Sequence, residues 1–569
     1  MSFRFEIPAE LRGAVDLAAA DWTSNNKVSR FWQKDAGLWT RDGEEKWLGW
    51  IDIAERQEKD LPKYASLAAD VKSAGFKSVL LLGMGGSSLC PEVLSVTFGQ
   101  QAGFPALHIV DSTDPAQVKA AHDAVNLAET LVVVASKSGS TLEPNVLKQY
   151  FFAEMQKAVG ADKAGSHFLA ITDPGSKMEQ VAKADGFRHI FYGDPQVGGR
   201  FSALSPFGVV TATVAGLDTA KILAEAAKAV ASAKLAPAQN PAVQLGLLMG
   251  EAANAGRDKI TVFTSPEVYD LGAWMEQLIA ESTGKLGKGI TPVDREAIGA
   301  PELYGKDRIF AYIRYAGTKD SSQDAKVAAI AAAGHPVIFI EIADLYEIFG
   351  QFFTWEVATS VAGAVMGINP FNQPDVESAK IETRALTNAY EETGKLPTSA
   401  PFLSDAGVKV FATESYAAKL KSVAGSQTLV GILKAHLDQI HAGDYFATLA
   451  YLPMFAEHEA AIQGLRHKVF DAKKVATCLG FGPRFLHSTG QDYKGGPNSG
   501  VFLQITADHG VDLAIPGAKY SFGIVIDAQA AGDLAVLEAR GRRALRIHLG
   551  ADVAAGLKTL AAAVEQALA

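Results

Sequence analysis

The stretch Lys77-Ser78-Val79-Leu80-Leu81-Leu82-Gly83-Met84-Gly85-Gly86-Ser87-Ser88 decides the fold class. Its apolar run has no polar alternation, so the strand it forms must be covered on both faces, as strands of a parallel sheet are. Glycines at the carboxyl end let a backbone approach a ligand closely, and a helix starting after Ser88 turns its N-terminus toward an anion. A tight turn that needs glycine only for its φ angles reads the same way. The spacing falls short of GxGxxG and no acidic residue stands where a ribose partner belongs, which argues against a dinucleotide.

Outward from this unit the pattern repeats. ALHIVD (106–111), TLVVVAS (130–136), HFLAITD (167–173) and RHIFYG (188–193) are further buried strands, with a helical stretch from Glu143 to Val159 between them. After a linker, LAPAQNP (235–241), a second series follows with KITVFTS (259–265), RIFAYIRY (308–315) and HPVIFIEI (335–342). Strands of this kind alternating with helices are the mark of doubly wound parallel sheets. A helix over 345–367 stops at Gly367 before INPFNQP. Beyond residue 398 the pattern is mixed, with candidate helices at 426–442 and 456–474, candidate strands VFLQIT (501–506) and ALRIHLG (544–550), and an Ala-rich closing helix. The expectation is α/β: two doubly wound parallel-sheet domains over 48–234 and 235–397, an N-terminal helical segment over 1–47, and a C-terminal α+β region over 398–569.

At 569 residues the chain is long enough for three to four domains of about 150 residues, and 48% hydrophobic content excludes disorder over its length. Fifty-three Lys and Arg against 63 Asp and Glu leave −10, so the average surface repels nucleic acid and anionic membranes. Any phosphate must be held by a local site. Cys90 and Cys478 are too few for a disulfide framework or a cysteine-built zinc site, and point to a reducing cytoplasm. The N-terminal MSFRFEIPAELRGAVDLAAADW lacks the continuous apolar core of a signal peptide, and Gly350, Gln351 and Glu356 interrupt the longest weakly charged stretch, 348–367. No membrane association is expected.

Three further motifs carry chemistry. Ser136-Lys137-Ser138-Gly139-Ser140-Thr141 again follows a strand and precedes a helix, setting four hydroxyls, an ammonium and backbone N–H groups around one point, a donor set suited to phosphate. An N-cap with spare serines, closed by Glu143, is the plainer alternative. In Val197-Gly198-Gly199-Arg200-Phe201-Ser202, two glycines clear space for a guanidinium that could oppose a developing oxyanion, or simply mark a surface arginine after a turn. In the segment Gly367 to Lys380, Pro374 suits a first helical turn, so Gln373 stands at the helix entrance and Lys380 about two turns on. AEHEAAIQGLRH (456–467) gathers Glu457, His458, Glu459 and His467 in no familiar ligand spacing, so no metal is expected.

In this order GMGGSS, SKSGST, VGGRFS and NPFNQPDVESAK resemble the glucose-6-phosphate isomerase (phosphoglucose isomerase) family, whose stretches read roughly GIGGS, SKTxTTxET, VGGRxS and NPFDQxGVExxK. The resemblance spans about residues 75–385 and is nearest to the isomerase half of bifunctional transaldolase/phosphoglucose isomerase proteins, with no transaldolase half in this chain. It implies two sugar-isomerase (SIS) domains. It also implies an aldose–ketose isomerase that works on glucose 6-phosphate and fructose 6-phosphate through a cis-enediolate, without cofactor or metal, and a homodimer in many members.

Carried over position by position, Ser136, Ser138 and Thr141 look like the phosphate-holding hydroxyls with Lys137 beside them, and Gly86 and Ser87 like part of the same sugar site. Arg200 looks like the enediolate-stabilising residue, Gln373 a substrate contact, Lys380 a ring-opening lysine, and Glu281, in Ala280-Glu281-Ser282-Thr283-Gly284-Lys285, the acid/base. The departures concern the histidine. No DLHSMGQ-like stretch follows Glu281 closely. Leu486-His487-Ser488-Thr489-Gly490-Gln491 stands instead far downstream, so that either the C-terminal region folds back to supply His487 or His487 is structural. A non-catalytic sugar-phosphate sensor is the rival from another class, though no basic helix-turn-helix candidate accompanies it. A different phosphorylated or sulfonated hexose is the rival substrate.

Overall fold

Residues 1–397 and 399–569 are described by the computed structural model, and the expected boundary residue 398 lies outside the described residues. The N-terminal segment, expected to be helical, opens with a strand, β1 (Ser2–Glu6), before helices Ala9–Ser24 and Lys27–Trp32. The alternation of Phe3 and Phe5 with polar residues suits an edge strand with one covered face.

The first sheet holds β2 (Ser78–Leu82), β3 (Ala106–Val110), β4 (Thr130–Ala135), β5 (Phe168–Thr172) and β6 (His189–Tyr192), all parallel in the order β3-β2-β4-β5-β6. Leu89, Val93 and Leu94 of the helix after β2 pack on Val79 and Leu81, whereas Val146, Leu147 and Phe151 of the helix after β4 pack with Leu80, Leu82, Val132 and Val134 on the other face. Strand order therefore reverses between β2 and β4. In such sheets the crevice outside the carboxyl ends at the reversal is where ligands bind, and both the 83–88 and 136–141 motifs emerge there.

The second sheet, β7 (Lys259–Thr264), β8 (Thr291–Val293), β9 (Arg308–Tyr315) and β10 (Val337–Ile342), is parallel in the order β10-β9-β7-β8, with β1 added antiparallel along β10. One apolar core joins both sheets through the helix Ile348–Met366, seventeen of whose residues are buried.

The C-terminal region departs from expectation. It contains β11 (Leu403–Asp405), β12 (Val408–Phe411), β13 (Tyr445–Tyr451), β14 (Ala476–Phe481), β15 (Gly500–Thr506) and β16 (Arg543–His548) in the order β11-β12-β16-β15-β13-β14. The β14-β13-β15-β16 part is parallel, and the β12–β16 and β11–β12 pairs at one edge are antiparallel. The expected α+β region is thus a third α/β sheet with an antiparallel hairpin at one edge. Helix Ala456–Lys473 covers one face and helix Phe522–Ala539 the other, so this sheet reverses between β13 and β15. Ile515, Phe522 and Val525 also pack against the first sheet's outer layer, which brings the third sheet over the first. Among the described residues no helix is long and apolar enough to cross a membrane.

Candidate active site

A cleft of about 680 Å³ opens at the β2/β4 reversal. Its floor is the glycine turn after β2. A Cβ on Gly86 would lie 1.9 Å from the Gly199 carbonyl oxygen, so the 83–88 and 197–202 turns press together only because the side chain is absent. Gly86 and Ser87 both line the cleft. The turn thus needs glycine for its packing and also borders the cleft.

One wall is the loop after β4. Ser136 Oγ is buried without a hydrogen-bond partner, Ser138 Oγ lies 2.9 Å from Ser140 Oγ, and Thr141 begins helix Leu142–Val159 with no side-chain capping bond. Ser136 and Thr141 line the cleft with their O–H donors unspent, and Ser138 and Ser140, sharing one hydrogen bond, keep one O–H free between them. Lys137 also lines it, but its ammonium is engaged by the Asp173 carboxylate and by the Asp194 carbonyl at 2.8 Å. Lys137 therefore stands beside the hydroxyls, as expected, with its charge paired to Asp173 at the end of neighbouring β5.

Helix Leu271–Thr283 supplies the opposite wall. Glu281 is 7% exposed, with Oε1 3.2 Å from Arg200 Nη1 and Oε2 accepting from Gln277 Nε2 at 3.0 Å. Arg200 stands behind the wall, fully buried. Its Nε donates to Ser282 Oγ at 2.7 Å, Nη1 to Gln373 Oε1 at 3.0 Å, and Nη2 to the carbonyls of Pro370 and Asn372 at 2.6 and 3.0 Å. Arg200 thereby fixes both the carboxylate and the Gln373 amide at the cleft edge. Lys285, buried and donating to the Ser282 and Asn369 carbonyls, ties the same two segments. Burial first, then the Arg200 charge, push its ammonium well below the ordinary lysine range.

Helix Pro374–Thr393 brings Lys380 to the cleft, 3.7 Å from Glu377, and Arg384 one turn further. Its entry is held by the C-terminal region. Gln491 Oε1 accepts from the backbone N–H of Asp375 and Val376 at 2.9 and 3.1 Å, while Gln491 Nε2 donates to the Gly284 carbonyl at 2.9 Å. The HSTGQ stretch does fold back. His487 lines the cleft, with Nε2 2.9 Å from Glu143 Oε1. Gln277 Nε2 donates to the His487 carbonyl at 2.8 Å. Burial alone would raise the Glu143 carboxyl, but His487, a backbone N–H and Lys380 together hold it below the ordinary value. Glu143 also accepts from Gln529 Nε2 at 2.7 Å, and Gln529 Oε1 accepts from Thr113 at 2.6 Å.

Glu281, Gln373, Lys380, His487, Gly86, Ser87, Ser136, Lys137, Ser138 and Thr141 thus share one cleft, with Arg200 directly behind it. Gln277, Gln529 and the pairing of Glu143 were not among the expected residues. A glutamine four residues before Glu281 on an otherwise apolar helix face was the one signal for the first. Among the described residues no group of three or more His, Cys, Asp or Glu is placed to hold a metal ion.

The phosphoglucose isomerase family model matches residues 67–298. Glucose-6-phosphate isomerase of Rubrobacter xylanophilus is 30% identical over 379 residues, covering 58% of this chain and 87% of that protein. The chain belongs to the phosphoglucose isomerase family. Glucose-6-phosphate isomerase of Lacticaseibacillus casei is 29% identical over 400 residues, 61% of this chain and 89% of its own. Among solved structures, a Thermus thermophilus protein described as hypothetical is 24% identical with a TM-score of 0.58 over 68% of this chain and 99% of its own. A glucose-6-phosphate isomerase from Chlamydia trachomatis is 21% identical with a TM-score of 0.51 over 61% and 75%. Both carry the fold. The family match includes the Ser136, Arg200 and Glu281 segments and ends before Lys380 and His487.

Proposed function

We propose that the chain is a glucose-6-phosphate isomerase, interconverting glucose 6-phosphate and fructose 6-phosphate. The observation that carries the reading is the convergence on one cleft of a buried carboxylate paired with arginine, Glu281 with Arg200, and a carboxylate-held imidazole, His487 with Glu143.

The hydroxyls of Ser136, Ser138 and Thr141, with Gly86 and Ser87, hold the sugar phosphate; Lys137 stands beside them, paired to Asp173. Ring opening needs an acid at the ring oxygen and a base at the anomeric hydroxyl, roles given to Lys380 and His487. Glu143 keeps the His487 ring in place and supports the charge it takes up. Glu281 then removes the proton beside the carbonyl and returns it to the adjacent carbon, an exchange one carboxylate can span. The Arg200 guanidinium, at the shared edge of Glu281 and Gln373, opposes the enediolate charge, so no metal step is invoked. A sensor has no use for Glu281 and His487 so arranged. His487 comes from the same chain as Glu281, so this pair needs no second copy of the chain. Two buried free thiols suit a reducing cytoplasm.

The test is conversion of fructose 6-phosphate in D2O followed by proton NMR, with wild type beside Glu281→Gln. Deuterium at C2 of glucose 6-phosphate, with the variant slower by at least about a thousandfold, is the expected result. Wild-type turnover with a fully active variant moves the base elsewhere. No wild-type turnover despite sugar-phosphate binding defeats the assignment.

A further inference from the structure

The third sheet repeats the arrangement that builds the active cleft, and its own reversal, between β13 and β15, also opens a cavity, of about 550 Å³. This cavity lies outside the carboxyl ends of β13 and β15, against the starts of helices Pro115–Asp123, Ala456–Lys473 and Val553–Leu568. None of its residues lines the isomerase cleft. Its polar lining is Asp114, Glu457, His458, Asp508, His509 and Asp552, with no lysine or arginine.

Two of these side chains are built in, each with one polar atom that meets no hydrogen-bond partner. Asp114 is 2% exposed; its Oδ1 takes the N–H groups of Ala116 and Gln117 at 2.9 and 3.0 Å, and Oδ2 accepts nothing. His458 is 9% exposed, with Nδ1 2.9 Å from the Pro453 carbonyl. A carbonyl only accepts, so Nδ1 carries the proton in the neutral ring and Nε2 presents a lone pair that no residue occupies. Burial pushes the Asp114 carboxyl above its ordinary value, against the pull of the two backbone N–H groups and of the His509 and His458 rings. His509 is already tied to Asp527 through Nε2 at 3.1 Å, and Asp508 faces His548 at 3.1 Å. Glu457 and Asp552 add negative charge at the rim, exposed to solvent.

We propose that this cavity is a second ligand site, for a small organic amine whose ammonium and neighbouring donors meet Asp114 Oδ2 and His458 Nε2. An ammonium offers only donors and positive charge, which is what these acceptors and rim carboxylates lack. A phosphate ester is disfavoured because no guanidinium or lysine ammonium lines the cavity. The same chemistry is met by an amino sugar or a polyamine.

The experiment is calorimetric titration of the full chain with glucosamine and with spermidine at low ionic strength, glucose and inorganic phosphate serving as neutral and anionic controls. Asp114→Asn keeps the capping oxygen, and His458→Asn keeps the donor toward Pro453, so both variants preserve the local fold. At least one amine should bind, and each substitution should weaken it about tenfold or more while the isomerase KM stays unchanged. Absence of amine binding, equal binding by both variants, or glucose or phosphate binding as tightly overturns the proposal.

Discussion

His487 Nε2 lies 2.9 Å from Glu143 Oε1, although 344 residues of chain separate them. The contact joins the third sheet's loop to the helix that follows the serine-rich turn of the first. Glu143 is in turn held by Gln529 at 2.7 Å, so the carboxylate is fixed from two sides and the ring orientation follows from it.

If the pair opens the sugar ring, His487→Ala should lose about a hundredfold in kcat on fructose 6-phosphate, the usual reach of a general acid or base. Erythrose 4-phosphate cannot close a furanose ring because its O4 is esterified, so its isomerisation should be nearly unchanged in the same variant. Glu143→Gln should show the same selectivity at smaller amplitude. Equal losses on both substrates would place His487 in the proton transfer at carbon, and no loss on either would make the pair structural.

Ser136 makes the opposite kind of prediction. Its buried Oγ forms no hydrogen bond in the unliganded chain, so Ser136→Ala removes an unsatisfied group and should leave the urea midpoint unchanged or slightly raised. Lost phosphate contact should raise KM about tenfold, equivalent to about 1.4 kcal/mol. A destabilised variant with an unaltered KM would show that the hydroxyl serves the fold.

The strands around the cleft were legible because parallel strands buried on both faces are written as runs of Val, Leu and Ile, as in TLVVVA of β4. β13 (YFATLAY) and β14 (ATCLGF) escaped notice because Ala, Thr and Gly dilute that signal, and without them the third sheet could not be recognised as parallel. β1 was hidden by its shortness and by the helical pattern after it. At the site, residue types picked out the 136–141 loop and the 367–380 segment, and the family resemblance added Glu281 and the role of Lys380; all of them line one cleft. Pairing did not show: Lys137 meets Asp173, and Glu143 meets His487, through strands and loops distant in sequence. Gln277 looks like a stray polar residue until the His487 carbonyl is seen against it.

Gln491 tests how the third sheet supports the cleft. Its side-chain oxygen accepts from two N–H groups at the start of helix Pro374–Thr393, which carries Lys380. Gln491→Ala should cost about 1–2 kcal/mol, as loss of a helix N-cap does. Gln491→Glu retains the acceptor but gives up the bonds to the Gly284 carbonyl and the Asp375 carboxylate and sets two buried carboxylates against each other, so it should cost at least as much as the alanine variant at neutral pH. Because the helix entry loosens, kcat should fall several-fold with ring substrates even where the protein remains folded; circular dichroism melts beside kinetics separate the two effects. Unchanged stability in the alanine variant would show that this contact does not hold the helix.

Asp492 predicts a pH response with a definite sign. Burial above all, with nearby Asp258, pushes its carboxyl up to about 7 against the pull of the Thr291 hydroxyl, 2.8 Å from Oδ2. The unfolded chain returns it to about 3.9. Between these values the native state keeps a proton that the unfolded state releases, so the stabilising contribution is complete below about pH 4 and is lost as pH rises to about 7, above which the fold holds a buried charge. Asp492→Asn preserves the acceptor for Thr291 and cannot ionise. From pH 5 to pH 8, the wild type should lose about 2–3 kcal/mol relative to the variant in urea unfolding. Since helix Gly490–Gly495 follows the His487 turn directly, wild-type ring-opening activity should also decline at alkaline pH more steeply than the variant's. Stability curves that run parallel from pH 5 to 8 would mean that Asp492 is already ionised in the folded protein.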